Sequence, residues 1–219
     1  VSEDMTLYAV WQNLVVAYTV NHWQEKLTTQ DTAFNAGNYT LIAGDTDNST
    51  GNAGTSTSAQ SKSYTGFSAG FTVTDGASDG TIKQSVIYND GTTVVDIYYK
   101  RNVYKVSYEA GVEESKMSQG EKITIPEEKS FRYEKTVSVN FEATRTGYSF
   151  GQWEWTDKNG NKNVYKTDGT TTFTMGDEDV TLKAVWIPKT DTKYEIHHYK
   201  QELDGEEWEE RRRTEDIRR

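Results

Sequence analysis

Asp177-Glu-Asp-Val-Thr-Leu-Lys-Ala-Val-Trp186 reads almost the same as Ser2-Glu-Asp-Met-Thr-Leu-Tyr-Ala-Val-Trp11, at an offset of 175 residues (186 − 11). A second pair follows each block in the same order. Tyr18-Thr-Val-Asn-His-Trp-Gln-Glu-Lys-Leu27 matches Tyr194-Glu-Ile-His-His-Tyr-Lys-Gln-Glu-Leu203, offset by 176 (194 − 18). Two unrelated blocks keeping order and spacing to within one residue define an internal repeat. The chain therefore reads as a piece of an array. It opens on Val1 without a signal peptide or terminal anchor, so any export signal is expected outside this piece. The repeat divides it into 1–13, the last strand of a preceding unit; 14–102, module A; 103–187, module B; and 188–219, the incomplete start of a further A-type module.

Composition narrows the chemistry. The 219 residues carry 34 acidic and 24 basic side chains, a net charge of −10, which disfavours a nucleic-acid partner. Mean hydropathy is −0.83 and no apolar run approaches about 18 residues, so membrane insertion is not expected. There is no Cys, which removes disulfides and thiolate chemistry, and only three His. Fourteen Tyr, six Trp and seven Phe among abundant Thr make a strand composition.

Alternation places the strands. Leu14–Gln24 puts Val16, Tyr18, Val20 and His22 on one face. Tyr39–Asp45 is expected to be a second strand, Asp45–Ala59 a polar excursion, and Tyr64–Phe67 a turn carrying core aromatics. Asp90-Gly91 predicts a hairpin of Thr81–Asn89 with Thr92–Lys100, with Thr93, Val95, Ile97 and Tyr99 facing the core. In module B, Tyr104, Val106 and Tyr108 share a face, and a hairpin partner is expected at Lys116–Ile125, closing at Pro126. Val137–Phe141, Gly147–Trp155, Thr171–Met175 and Val180–Trp186 follow as strands. A bulge in Gly147–Trp155 would reset its alternation.

Module B resembles the Listeria–Bacteroides repeat, or internalin B-repeat, family. The resemblance rests on Tyr104–Glu109, on Arg145-Thr-Gly-Tyr-Ser-Phe150 with Trp153 after it, and on Val180–Trp186. It departs from the family in Gly151-Gln152-Trp153, where the glycine usually directly precedes the Trp, and in an apparent insertion at Ser130–Phe141. Module A is similar to mucin-binding-protein-like repeats through Tyr18–Trp23, Lys62-Ser-Tyr-Thr-Gly-Phe67 and Ile97-Tyr-Tyr-Lys-Arg-Asn102. Together the resemblances imply a β-rich α+β class: tandem small β-grasp (ubiquitin-like) modules in an elongated array. They also imply an extracellular setting, on the cell wall or cell surface of a Gram-positive bacterium.

Few residues stand out as sites. His22 aligns with His198 but has no nucleophile or carboxylate cluster beside it in sequence, so a structural role is expected. Asp45-Thr-Asp-Asn-Ser and Asp157-Lys-Asn-Gly-Asn alternate oxygen side chains but lack the later Gly and Glu of a calcium loop. Trp153 is expected in the core. Trp23, Tyr98 and Trp155 are the candidate ligand-contact residues, because an exposed aromatic face can stack on a sugar. A Lys–Asn or Lys–Asp isopeptide crosslink needs convergence that spacing cannot reveal. Glu206–Arg219, a charge-dense run, opens the next module and is expected to expose a strand edge.

The expected role is a structural stalk or spacer in a secreted surface protein of the adhesin type, presenting a distal domain and partnered by neighbouring repeats. It is expected to need no cofactor or metal and to be no enzyme. The alternative is an adhesive module binding host glycan or protein.

Overall fold

The computed structural model describes residues 4–28, 33–74, 76, 78–191, 196–201 and 208–213, with side chains up to Asp191. It is β-rich, and the described residues hold two single-turn 3-10 helices, at Ala36–Asn38 and Glu114–Lys116. The chain forms two compact units. The first comprises Val1–Tyr104, Ser130–Val137 and Thr174–Glu178; the second comprises Lys105–Lys129, Ser138–Phe173 and Asp179–Arg219. A division at Asn102/Val103 was expected; instead, two segments of module B count with the first unit. Tyr133 explains the first of them. Its ring lies over Gly66 and edge-on to Phe67 (centroids 5.9 Å), and its N–H donates to the Asn102 carbonyl.

In the first unit β1 (Val15–Glu25) is central. β2 (Tyr39–Leu41) and β3 (Asp47–Asn52) run antiparallel along one of its edges, with Trp23 opposite Leu41 and Tyr18 opposite Ser49. β4 (Val94–Tyr99) lies parallel along the other edge, pairing Val20 with Val95 and His22 with Ile97. The expected hairpin is therefore corrected. Asp90-Gly91 does turn the chain, with Gly91 at φ 75° and the Asp90 carboxylate accepting the Thr92 N–H. The strand after that turn pairs with β1, and residues 81–89 instead run against 54–57 through the Val86–Ser56 bridge and the backbone hydrogen bonds of Ser85 and Ile87. The excursion at 45–59 is also corrected, since β3 lies within it. The face assignments stand: Tyr18, Val20, His22, Thr93, Val95, Ile97 and Tyr99 are all buried. With Ala59 and Ile87 they fill the core, and Tyr64, Phe67 and Ile82 pack against it.

Module B repeats the parallel pairing of an opening with a closing strand, but within a different strand order. β5 (Val103–Glu109) opens module B, followed by β6 (Ile123–Thr124), β7 (Lys129–Arg132), β8 (Thr136–Ser138) and β9 (Thr144–Arg145). Then come β10 (Tyr148–Thr156), β11 (Lys162–Tyr165), β12 (Thr172–Thr174) and β13 (Val180–Pro188). The sheet order is β6-β9-β10-β13-β5-β7, with β11 on β10. β13 runs parallel to β5, pairing Val180 with Val106 and Leu182 with Tyr108. The expected partner strand at 116–125 is corrected: only Ile123–Thr124 is strand, and it pairs with β9. The bulge in β10 is real. Its register to β13 shifts between Phe150 and Gln152, so Phe150 and Trp153 come together at 5.0 Å. Trp153 is fully buried and donates its indole N–H to the Phe141 carbonyl at 2.7 Å. β14 (Ile196–Gln201) and β15 (Trp208–Arg213) form a separate antiparallel pair.

Gly111 is where β5 leaves the sheet. Its φ is +72°, and a Cβ there would lie 1.8 Å from the Ala184 carbonyl oxygen, a backbone atom that cannot step aside. Gly111→Ala is expected to destabilise the second unit by more than about 3 kcal/mol in urea unfolding. Gly120→Ala is the control. Its φ is +81° with nothing within 4 Å, so only the backbone cost of about 1–2 kcal/mol applies. Equal effects from the two substitutions would contradict the close approach.

Candidate functional site

Parallel pairing of β1 with β4 sets two faces. On the outer one, Asn21 lies opposite Asp96 and Trp23 opposite Tyr98. Asp96 Oδ1 accepts from Asn21 Nδ2 at 2.9 Å and from the Trp23 indole N–H at 2.8 Å. The Trp23 and Tyr98 rings stack with centroids 6.2 Å apart and planes 25° from parallel. Both are half-buried. Tyr98 is also met edge-on by Phe34 at 4.9 Å and by Tyr39 at 5.0 Å. Its ring is thus the middle of an aromatic cluster. Trp155, also half-buried, belongs to the second unit, where Phe173 lies 6.3 Å away and Tyr165 stands behind Phe173 at 5.2 Å. Trp23 and Tyr98 come together; Trp155 does not join them.

The inner face holds a polar cluster that spacing did not reveal. His22 is fully buried, with Nδ1 2.8 Å from the Tyr99 hydroxyl and Nε2 3.1 Å from Asp47 Oδ2. Lys62 Nζ donates to Asp45 and, at 2.7 Å, to Asp47 Oδ1; Tyr64 donates its hydroxyl proton to Asp45. The Lys62 N–H donates to the Tyr99 hydroxyl at 2.9 Å. Turns on both sides of β3 deliver these groups, so residues 15 to 77 positions apart in sequence converge. Among the described residues no buried side-chain polar atom lacks a partner.

The charges settle what the cluster does. Hydrogen bonds from Lys62 hold the Asp45 and Asp47 carboxyls below their ordinary pKa, and those same bonds hold the Lys62 ammonium above its own. Burial pushes the Tyr64 phenol well up. Condensation of Lys62 with Asp45 to an amide requires a neutral amine and a protonated acid, the two forms this arrangement disfavours. The cluster is an ion-pair tie that fastens the loop before β3 and the 60–64 segment over the enclosed His22 ring. The first calcium-like stretch thus presents its carboxylates to an ammonium group. In the second, Asp157 Oδ1 accepts the Asn159 and Asn161 N–H groups, which makes it a turn cap. His198 lies on β14, outside the residues whose side chains are described.

Comparison with protein-family models, curated proteins and solved structures finds no match for this chain.

The depressed carboxyl groups make the tie pH-dependent. Its contribution is complete above the ordinary carboxyl value of 3.8 and is lost as pH falls through the lower folded values. The urea midpoint reported by first-unit probes is therefore expected to drop as pH falls below about 4. Lys62→Met should weaken that slope and lower the midpoint at neutral pH. A slope unchanged by the substitution would show that other carboxylates govern it. Intact mass should show no loss of water.

Proposed function

We propose that this chain is a stalk or spacer segment of a secreted, wall-associated bacterial surface protein, built from repeated β-grasp-like modules that present a distal domain. One observation carries the reading: both modules share one construction. Each begins with a strand, β1 or β5, and ends with another, β4 or β13, laid parallel beside it. The chain between them completes that module's sheet. A sequence repeat whose units each close their own sheet suits an array of independent cores, in which stability sums over units with terms for the junctions. The resemblance to internalin-type and mucin-binding-type repeats points the same way, and the net charge of −10 favours a solvated surface that resists self-association. The mechanism is geometric: reach from stacked small folds, with no catalytic step.

An adhesive role is the second reading, favoured by the half-buried Trp23–Tyr98 stack with Asp96 and Asn21 beside it. Binding of a glycan lost in Trp23→Ala, with unfolding midpoints unchanged, would favour that reading.

For the stalk, the test is independence. Leu182→Ala in β13 should cost the second unit about 2–5 kcal/mol while amides of β1 and β4 keep their hydrogen-exchange protection. Ile97→Ala should do the converse. Loss of protection in both units from either substitution would remove the independent-core basis of the proposal.

A further inference from the structure

Residues 4–11 lie in no strand, and Met5, Leu7, Tyr8, Val10 and Trp11 are between 82% and 91% exposed. A run of five large apolar side chains in water is costly and calls for a partner. The repeat counterparts of Met5, Leu7 and Ala9 are buried, Val180 at 0%, Leu182 at 1% and Ala184 at 3%, in the middle of the second unit's sheet, and those of Val10 and Trp11 are half-buried. The same pattern therefore occupies two opposite environments within one chain.

We propose that residues 4–11 are a donor strand that completes the sheet of a B-type module lacking its own closing strand, the upstream neighbour in the array. This rests on the array reading above and deepens it by fixing the partner and the register. The strand enters between a β10-like neighbour, antiparallel, and a β5-like neighbour, parallel, as β13 does. Met5 takes the place of Val180, Leu7 of Leu182 and Ala9 of Ala184, all inward. Tyr8 falls at the outward position of Lys183.

Two polar contacts support the register. Asp179 Oδ1 accepts the Lys105 N–H at 2.8 Å, and Asp4 stands at the same position of the repeat. Trp186 donates its indole N–H to the Ala110 carbonyl at 2.6 Å, and Trp11 retains that donor. Cap, apolar alternation and indole anchor are thus all preserved in 4–11. A second copy of this chain is a poorer partner, because its own β13 already fills the slot.

The test fuses a copy of residues 14–175 directly ahead of Val1, which restores the repeat spacing around the full 219-residue chain and keeps the module A contacts of 130–137 in the added copy. Amides of 5–10 are expected to exchange at least about a hundredfold more slowly in the fusion than in the unfused chain. Leu7→Asp should restore fast exchange in the fusion and leave the unfused chain unchanged. A crosslink gives a second readout. Ser107 Oγ lies 3.1 Å from Thr181 Oγ1, and the chain has no native Cys. Thr6→Cys combined with Ser107→Cys in the added copy should therefore form a disulfide on mild oxidation. Fast exchange at 5–10 with no crosslink overturns the donor strand. If β1, β4 and β13 stay protected in that case, the independent-core reading survives the loss.

Discussion

Each module depends on a closing strand that must find its opening strand across the whole module. β4 reaches β1 only after residues 26–93, and β13 reaches β5 only after residues 110–179. A parallel pair always needs a long crossover, usually a helix that covers the sheet. Among the described residues these crossovers are short strands, single 3-10 turns and irregular chain, and the closing strands put their own side chains deep in the core. Ile97 and Tyr99 in β4, and Val180 and Leu182 in β13, are at most 1% exposed. Deleting the closing strand would leave β1 or β5 with one bare edge and an open core. Contacts of such long sequence separation also imply slower folding than local hairpins would allow.

What lies on the two sides of β1 follows from that pairing. Register with β4 brings His22 beside Ile97 and sets Trp23 against Tyr98, so one strand supplies both a buried imidazole and an aromatic stack. A buried imidazole is tolerable only with partners, and Tyr99 and Asp47 supply them. Asp47 is in turn held by Lys62, which ties a polar loop to the core. The end of β1 is locked in a similar way. Glu25 is 5% exposed and accepts the Arg101 N–H at 2.9 Å, while Arg101 Nε donates to the Glu25 carbonyl at 2.8 Å. The Arg101 guanidinium then reaches the Tyr133 carbonyl and Glu134. Arg101, next to the expected module boundary, is therefore a clamp, and with Tyr133 it is why 130–137 counts with the first unit.

Period-two alternation was legible wherever one face meets the core, because burial enforces it on every second side chain. β1, β4, β5 and β13 were readable for that reason, and so was the conditional bulge in β10. Partner choice was not. Asp90-Gly91 is a local signal and correctly marks a turn, but which strand Val94–Tyr99 joins is decided by a strand some 70 residues earlier. β3 was missed because Asp47–Asn52 is Asp-Asn-Ser-Thr-Gly-Asn, a polar run that lies on one edge of β1 and has no buried residue. Its backbone pairing, rather than side-chain burial, makes it a strand. The polar cluster was illegible for a related reason: His22, Asp47, Lys62 and Tyr99 carry no spacing signature and meet only through the register of β1 with β3 and β4.

The allocation of aromatic side chains bears on which role the surface can support. Trp153 and Tyr99 are fully enclosed, and Tyr39 and Phe71 nearly so. Tyr98 spends its edges on Phe34 and Tyr39 and one face on Trp23. Trp23 has already committed its N–H to Asp96, so a sugar hydroxyl would have to compete with an existing bond for the donor that usually orients it. A small module with no α-helix among its described residues needs large rings to exclude water from its central strands, and that demand takes Trp153, Tyr99, Tyr39 and Phe71. The Trp23–Tyr98 stack then reads first as the outer seal of the β1–β4 pair, and any ligand there would bind to a surface whose geometry is set by stability.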